Sequence, residues 1–447
     1  MYARTHNKAG GVLVLVMVLV LVMGGLGAGL MKLGTGSGIE VSYALNDANA
    51  FWAAEAGIEK AKTIGQMKRK RFAVIPKPVG TGVLLGNNVL TGATSRASYM
   101  VSILDDTTGG WVNSSHTLQK YVITSVGQSQ GGSTRTLSVR AWLLNYAGYM
   151  HASHDENGIN FLSGDTLDGP VYTDDQLSIM GTPGPIFKQL VSSGASSVFY
   201  NGWTPTAAQI SAVWQGGLTL NAPPLDIQGQ FGDHVTDIQT QSQLGGLDLE
   251  GGAAANYDFV FKSNGSFVYS NMSTHVVVTN STLLSSPNGT IYVDGNVNVQ
   301  GIVNGNVTLA SRHSINIMSN LVYESASGAN PDPWNTNTFN YANVNDMLGL
   351  MAVDGVNVKG TNSINIHASI MITGTSSTGF SADANATVIG NKFINLYGGL
   401  SQYVRGLVSH SGTSFQGFHK NYKFDQRFAS EAPPSFPPSL YMFMSWQ

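Results

Sequence analysis

Residues 12–23 are apolar without a break, and the run continues to Met31 with Gly24, Gly25, Gly27 and Gly29 interspersed. About 20 such residues are enough to cross a bilayer as a helix. Arg4 and Lys8 precede the run, which predicts a cytoplasmic leading peptide, and no convincing A-x-A-like signal-peptide site follows it. Residues 42–71 read as further helix. Ala44, Leu45, Ala48, Phe51, Trp52, Ile58, Ala61 and Ile64 recur at helical spacing, and Glu55 and Glu59 stand one turn apart. Between the halves, LGTGSG (33–38) is poor helix material. The pattern therefore predicts a long helix with a weak or melted middle.

Beyond residue 97 the period changes from helical to alternating. The stretches 98–111, 119–132 and 133–144 read as β segments, with Tyr99, Val101 and Ile103 on one face of the first. Gly131-Gly132 is a hairpin signal, and NNVLTGA (87–93) reads as connecting loop. After residue 158 short V-x-V and I-x-I units are punctuated by Gly, Asn and Asp. VDGNVNVQG (293–301) recurs as VDGVNVKG (353–360), SINIMSNLVY (314–323) as SINIHASIMI (363–372), and LDGPVYTDDQLSIMG (167–181) is a weaker copy. Short repeated strands that bury their apolar positions only by stacking predict an irregular parallel β-helix. The expected layout is a leader over 1–11 and a helix over 12–72, with a membrane or filament-core part at 12–31 and an amphipathic part at 40–71. An antiparallel sheet over 73–146, a linker over 147–157, a β-helix over 158–415 and a Pro- and aromatic-rich strap over 416–447 follow. The fold class is α+β, then mainly β.

Composition narrows the function. Charged residues make up 11% of the 447 and the net charge is −3, so nothing points to nucleic acid. There is no cysteine, which removes disulfides and thiolate metal sites. The 53 glycines suit a turn-rich β protein.

A short basic leader ending in glycine, an apolar helix, and AFWAAEAGIEKA (50–61) occur here in that order. Together they resemble the N-terminus of type IV pilin-like proteins, the PilX-type minor pilin group in particular, with Phe51, Ala54, Glu55, Gly57 and Glu59 carrying the motif. The resemblance implies cleavage by a prepilin peptidase after Gly10 or Gly11, leaving Gly11 or Val12 first. Val12, Leu13, Val16, Leu19, Val22 and Leu26 would line a filament core. It implies residence in the inner membrane, then assembly with other pilin subunits by the inner-membrane machinery onto a cell-surface filament. The C-terminal part resembles an uncharacterised β-helical domain found after pilin-like N-termini. One departure stands out. Major pilins carry a glutamate at the fifth mature residue, whereas that position is Leu15 or Val16 here, and the first carboxylate is Glu40. This suits a minor or tip-located subunit.

Candidate chemistry is sparse, and the chain reads as a structural protein without a cofactor. His151, His154 and Asp155 could serve as metal donors, but the H-E-x-x-H pattern is absent and solvated linker polarity explains them. Asp165, Asp168, Asp174 and Asp175 read as turn residues with no basic partner in sight. His367 reads as a packed or exposed strand residue, and the basic run 68–71 as a favourable helix end. The asparagines of Asn264 and Asn288 triplets are expected by chance. The expected role is display of an extracellular β-helix for adhesion, with surface polysaccharide as a possible contact. The alternative is a membrane-anchored carbohydrate-binding or carbohydrate-active β-helix protein.

Overall fold

The computed structural model describes residues 9–67, 83–91, 96–105, 120–222, 234–252, 254–274, 276–280, 288–326, 339, 341–382, 391–411, 415–429 and 431–446. The leader up to residue 8 and the basic run 68–71 lie outside them. The chain divides into two compact units, one of Met1–Gly109, Tyr121–Ala141 and Met444–Gln447, the other of Gly110–Lys120 and Trp142–Phe443.

In the first unit, α1 (Ala9–Met67) runs 59 residues without a break. The expected melted middle is not there. Each glycine costs about 1 kcal/mol of propensity, yet extending an existing helix needs no new nucleus. Thr35 Oγ1 also donates to Met31 O at 2.9 Å, and Ser37 Oγ to Gly34 O at 3.1 Å, inside the turn that looked weakest. Among the described residues this is the one helix long and apolar enough to cross a membrane.

The packed face of α1 also differs from the predicted stripe. Ala50, Ala53, Ala54, Ile58 and Ala61 are buried, while Leu45 and Trp52 are largely exposed and Phe51 is exposed at its rim. The reason is proximity. A Cβ on Gly127 would lie 2.0 Å from Ala50 O and 2.4 Å from Ala54 N, and one on Gly57 would lie 2.1 Å from Ser125 Oγ. Helix and sheet backbones touch at Ala50 and Ala54, so small residues of α1 line the closest approach, while Ile58 packs beside them and Phe51 and Trp52 lie on the other side of the helix.

The sheet that receives α1 contains β1 (Val83–Thr91), β2 (Arg96–Asp105), β3 (Lys120–Ser129) and β4 (Thr134–Asn145), in that order, followed by Pro438–Trp446. β1 pairs antiparallel with β2, from Val83↔Ile103 to Thr91↔Arg96. The loop expected at 87–93 is therefore mostly strand; its asparagines are poor strand formers alone, but cross-strand pairing outweighs that preference. β2 and β3 are antiparallel, and the Gly131-Gly132 hairpin closes with Gly132 at φ +86°. Tyr99, Val101, Ile103, Ile123 and Val139 form the buried side of the sheet.

In the second unit a 20-stranded, mostly parallel sheet winds into a stack of rungs. Register is set by the repeats. Val297, Ile315 and Val356 lie in one inward row, with Val299, Ile317 and Val358 in the next. Each fully buried aliphatic side chain adds about 1.5–3 kcal/mol. The outward residue between them forms a polar ladder. Asn298 Nδ2 donates to Asp258 at 2.7 Å, Asn316 to Asn298 at 2.9 Å and Asn357 to Asn316 at 3.3 Å. A second ladder runs Asn365, Asn395, Asn421, with steps of 2.8 and 2.7 Å. Asn395→Ala removes both of its ladder bonds, to Asn365 and to Asn421. Urea unfolding should show a loss of about 1–3 kcal/mol; no loss would mean the ladder only decorates the surface.

The order of rungs is not the order of the chain. β5 (His151–Asp155), β6 (Asn160–Leu162), β7 (Thr166–Asp168) and β8 (Val171–Thr173) begin the solenoid in its middle. From β8 it grows outward through Val191–Ser193 to Leu218–Thr219. The chain resumes at the opposite end with Leu247–Leu249 and builds back through Thr290–Val293, Asn306–Ser311, Met347–Ala352 and Ile364–Ile372 to Phe393–Val404. That last long strand docks on β5 through Ser401↔Ala152 and Val404↔Asp155, while His419–Phe424 docks on β7. A seam thus joins the first and last rungs. The segment 151–155, predicted as part of a linker, is the start of this seam. The tail then lies along the stack: Ser435 Oγ is 2.9 Å from Thr290 Oγ1, and Thr308 Oγ1 donates to Pro434 O.

Candidate functional site

The seam gathers buried charges. In neighbouring rungs an inward row reads Ile364, Ile394, Lys420, and another reads Ile372, Gln402, Ser153. The stack turns from apolar to polar where the chain's early and late segments meet. Arg405 Nη1 donates to Glu156 Oε2 at 2.5 Å and to Ile159 O at 3.0 Å, and its guanidinium lies 3.6 Å from the Phe161 ring centre. Glu156 also accepts from Ser153 Oγ and meets His151 Nε2 at 3.2 Å. Lys420 Nζ donates to Asp165 Oδ2 at 3.0 Å and to Ser409 Oγ at 3.3 Å; Asp165 Oδ2 also accepts from Leu162 N at 2.9 Å. Arg405, Glu156 and Asp165 are each 1% exposed.

Burial opposes the charge on Glu156, but Arg405, with His151 and Ser153, overrides it and holds the carboxyl well below its usual range. Burial lowers the basicity of His151 more than Glu156 restores it. Lys420 is likewise shifted down by burial, against the pull of Asp165. Such a closed cluster suits a staple between rungs rather than a site that meets a solute.

The second constellation is half-buried, with Tyr397 and Asp425 inside and Asp168, Tyr341, Lys423 and Arg427 partly exposed. Tyr397, Lys423 and Asp168 occupy matched positions on three adjacent parallel strands. With Tyr341, Gln426 and Arg427 they line a half-open groove of about 290 Å³. The Lys423 ammonium stands 4.4 Å from the Tyr341 ring centre. Phe339 packs behind, 4.6 Å from Tyr341 and 4.9 Å from Tyr397. Asp425, fully buried, binds Arg427 at 2.5 Å and bonds the Tyr397 hydroxyl. Burial, with Asp425 beside it, pushes the Tyr397 phenol upward. Burial lowers the Lys423 ammonium, partly offset by Asp168. Asp168 and Asp425 stand in the groove with Lys423 and Arg427, and Lys188 lies 3.5 Å from Asp168 on its other side.

The predicted site residues are scattered. Gly10, Gly11 and Val12 fall in the first turns of α1, and Val16, Leu19, Val22 and Leu26 are exposed along it. Of the pilin-like motif, Ala54 and Gly57 are packed against the sheet, and Glu59 is exposed. The three metal candidates do not converge. His151 turns inward to Glu156, His154 Nδ1 bonds Asp174 Oδ2 at 2.9 Å, and Asp155 Oδ1 accepts from Asn157 N at 2.6 Å. Among the described residues no group of three His, Asp or Glu side chains could hold a metal ion.

The aspartates are only partly turn residues. Asp165 and Asp168 have basic partners after all, Lys420 at 3.0 Å and Lys188 at 3.5 Å, and Lys420 lies 255 residues away in sequence, beyond the reach of local pattern. His367 is packed, its Nδ1 accepting from Tyr323 N at 3.0 Å. Asn264 and Asn288 each accept from a backbone N–H two residues on, as turn residues do. The groove residues other than Asp168 carried no sequence signal, because their match is one of strand register. Comparison of the chain with protein-family models, curated proteins and solved structures finds no significant match.

Proposed function

We propose that this chain is a structural subunit, a minor pilin or pseudopilin-like component of a type IV filament system, that displays its β-helix outside the cell. The carrying observation is α1: one uninterrupted helix, exposed and apolar over its first half, with a small-residue face buried against an antiparallel sheet over its second. An apolar helix of this kind is soluble only in a membrane or in a bundle of its own kind. In this reading a prepilin peptidase removes the leader, the inner membrane holds the subunit, and the assembly machinery draws the helix among those of other subunits. The absence of a carboxylate before Glu40 favours a minor or terminal position over the bulk of the filament. Without that partner a buried terminal amine would stand uncompensated.

The mature N-terminus tests this. Mass spectrometry of the protein from cells with prepilin peptidase should find a chain beginning at Gly11 or Val12 and N-methylated. Cells lacking the peptidase should yield the uncut form. An uncut chain in both, or a cut beyond residue 24, would leave an anchored or secreted β-helix and end the filament reading.

A further inference from the structure

We propose that Lys420 and Asp165 condense into an intramolecular amide, Nζ to Cγ, that locks the seam of the solenoid covalently. The proposal does not rest on filament membership, since both residues lie in the β-helix unit.

The two groups meet away from water. Nζ stands 3.0 Å from Oδ2, with Lys420 3% and Asp165 1% exposed. Strand register puts the lysine there: it is the partner of Ile394, in a row that holds isoleucine in the two preceding rungs. The Phe161 ring centre lies 5.6 Å from the ammonium. Desolvation opposes both charges of such a pair. A proton moving from Nζ to Oδ2 along the 3.0 Å contact removes both charges and leaves a free amine beside a carboxylic acid. Burial shifts the Lys420 ammonium down, with Arg405 adding to it and Asp165 and Glu156 opposing. That favours the unprotonated, nucleophilic amine.

The carboxyl is held for attack. Oδ1 accepts from Lys420 N and Oδ2 from Leu162 N, both at 2.9 Å. The flexible lysine stem carries Nζ from Oδ2 to the face of Cγ. The nitrogen lone pair forms the C–N bond, and the carbonyl pair moves to Oδ1, where the Lys420 N–H stabilises the oxyanion. One amine proton then passes to the Oδ2 hydroxyl, and Ser409 Oγ, 3.3 Å from Nζ, is placed to relay it. The Cγ–Oδ2 bond breaks, Oδ2 leaves as water and the carbonyl re-forms. Amine and acid give amide and one water, with no co-reactant. That water has a place to go. Lys420 lines a pocket of about 10 Å³ with His151, Gln402 and Tyr422, close to the space one water needs. The buried His151 Nδ1 has no hydrogen-bond partner among the described residues and can accept from the water.

The bond spans 255 residues in a chain without cysteine. Such a link restricts the unfolded chain as a disulfide does, and it ties the first rungs to the last.

The test is mass spectrometry of the full chain, purified in detergent and then unfolded in denaturant. The intact mass should read one water below that of the sequence from its own N-terminus. Trypsin should fail to cut after Lys420, and a branched peptide carrying both Asp165 and Lys420 should appear. Lys420→Arg keeps a cation in the row but lacks the amine, so it should restore the full mass. The wild-type readings decide the matter even if that variant does not fold. A full mass with ordinary cleavage after Lys420 would mean an ion pair only and overturn the proposal. So would a loss of water confined to one linear peptide, the mark of a cyclised aspartate. The mature N-terminus is read on a different peptide, so this bond and the filament reading fail separately.

Discussion

Replacing Arg405 by alanine should destabilise the β-helix by roughly 3–5 kcal/mol, the usual cost of stranding one member of a buried ion pair. Glu156 would keep Ser153 and His151 but lose the guanidinium that pairs with it, at a position 1% exposed. The guanidinium also satisfies two backbone carbonyls, Ile159 O and Asn160 O, which would be left without it. Urea unfolding followed by tryptophan fluorescence would measure the loss. The double variant Arg405→Met with Glu156→Leu should recover much of it, because a matched apolar pair has no charge to desolvate. A loss below about 1 kcal/mol for Arg405→Ala would mean that solvent reaches the pair, as at a surface bridge.

The same cluster sets an acid limit. Glu156 has a lowered folded pKa, so its contribution is present above the unfolded value, about 4.3, and is lost as pH falls from there toward the folded value. His151 is also lowered, by burial. Below about pH 6.5 the unfolded imidazole takes up a proton that the folded one refuses, so stability falls with pH from there downward. Unfolding midpoints should decline in two stages on acidification, and the gap between wild type and Arg405→Ala should narrow below about pH 4.

Gly127→Val should undock α1 from its sheet. The added Cβ would sit 2.0 Å from Ala50 O and 2.4 Å from Ala54 N, both backbone atoms that no rotamer change can move. Ordinary overpacking costs about 1–3 kcal/mol, and a backbone collision should exceed that. The bidentate Arg135–Asp47 contact, at 2.6 Å in both arms, is surface-exposed and would not hold the helix by itself. Limited proteolysis within 46–61 is the readout: the wild type should resist and the variant should be cut. Equal protection would show that the helix and sheet can part by an ångström without loss. The exposed Trp52→Ala, by contrast, should leave this protection unchanged.

The sequence by itself determined the elements that depend on local period. An unbroken apolar run made α1 a helix of membrane-spanning length, alternation made β2 to β4 strands, and repeated V-x-V and I-x-I units made a parallel stack. These follow from which side chains avoid water at each period, and that is written residue by residue. The tertiary structure decided the rest. It chose the face of α1 with Ala50, Ala54 and Gly57 over the one with Phe51 and Trp52, because the sheet backbone at Gly127 comes within contact of the helix backbone there. It recruited 83–91 as a strand, because an open strand edge supplies hydrogen bonds that propensity does not count. It began the solenoid in its middle, so that Glu156 meets Arg405 and Asp165 meets Lys420 across about 250 residues, and so that Asp168 completes a groove with Tyr397 and Lys423. Charge pairing and strand register act through space, and no window along the chain contains both partners.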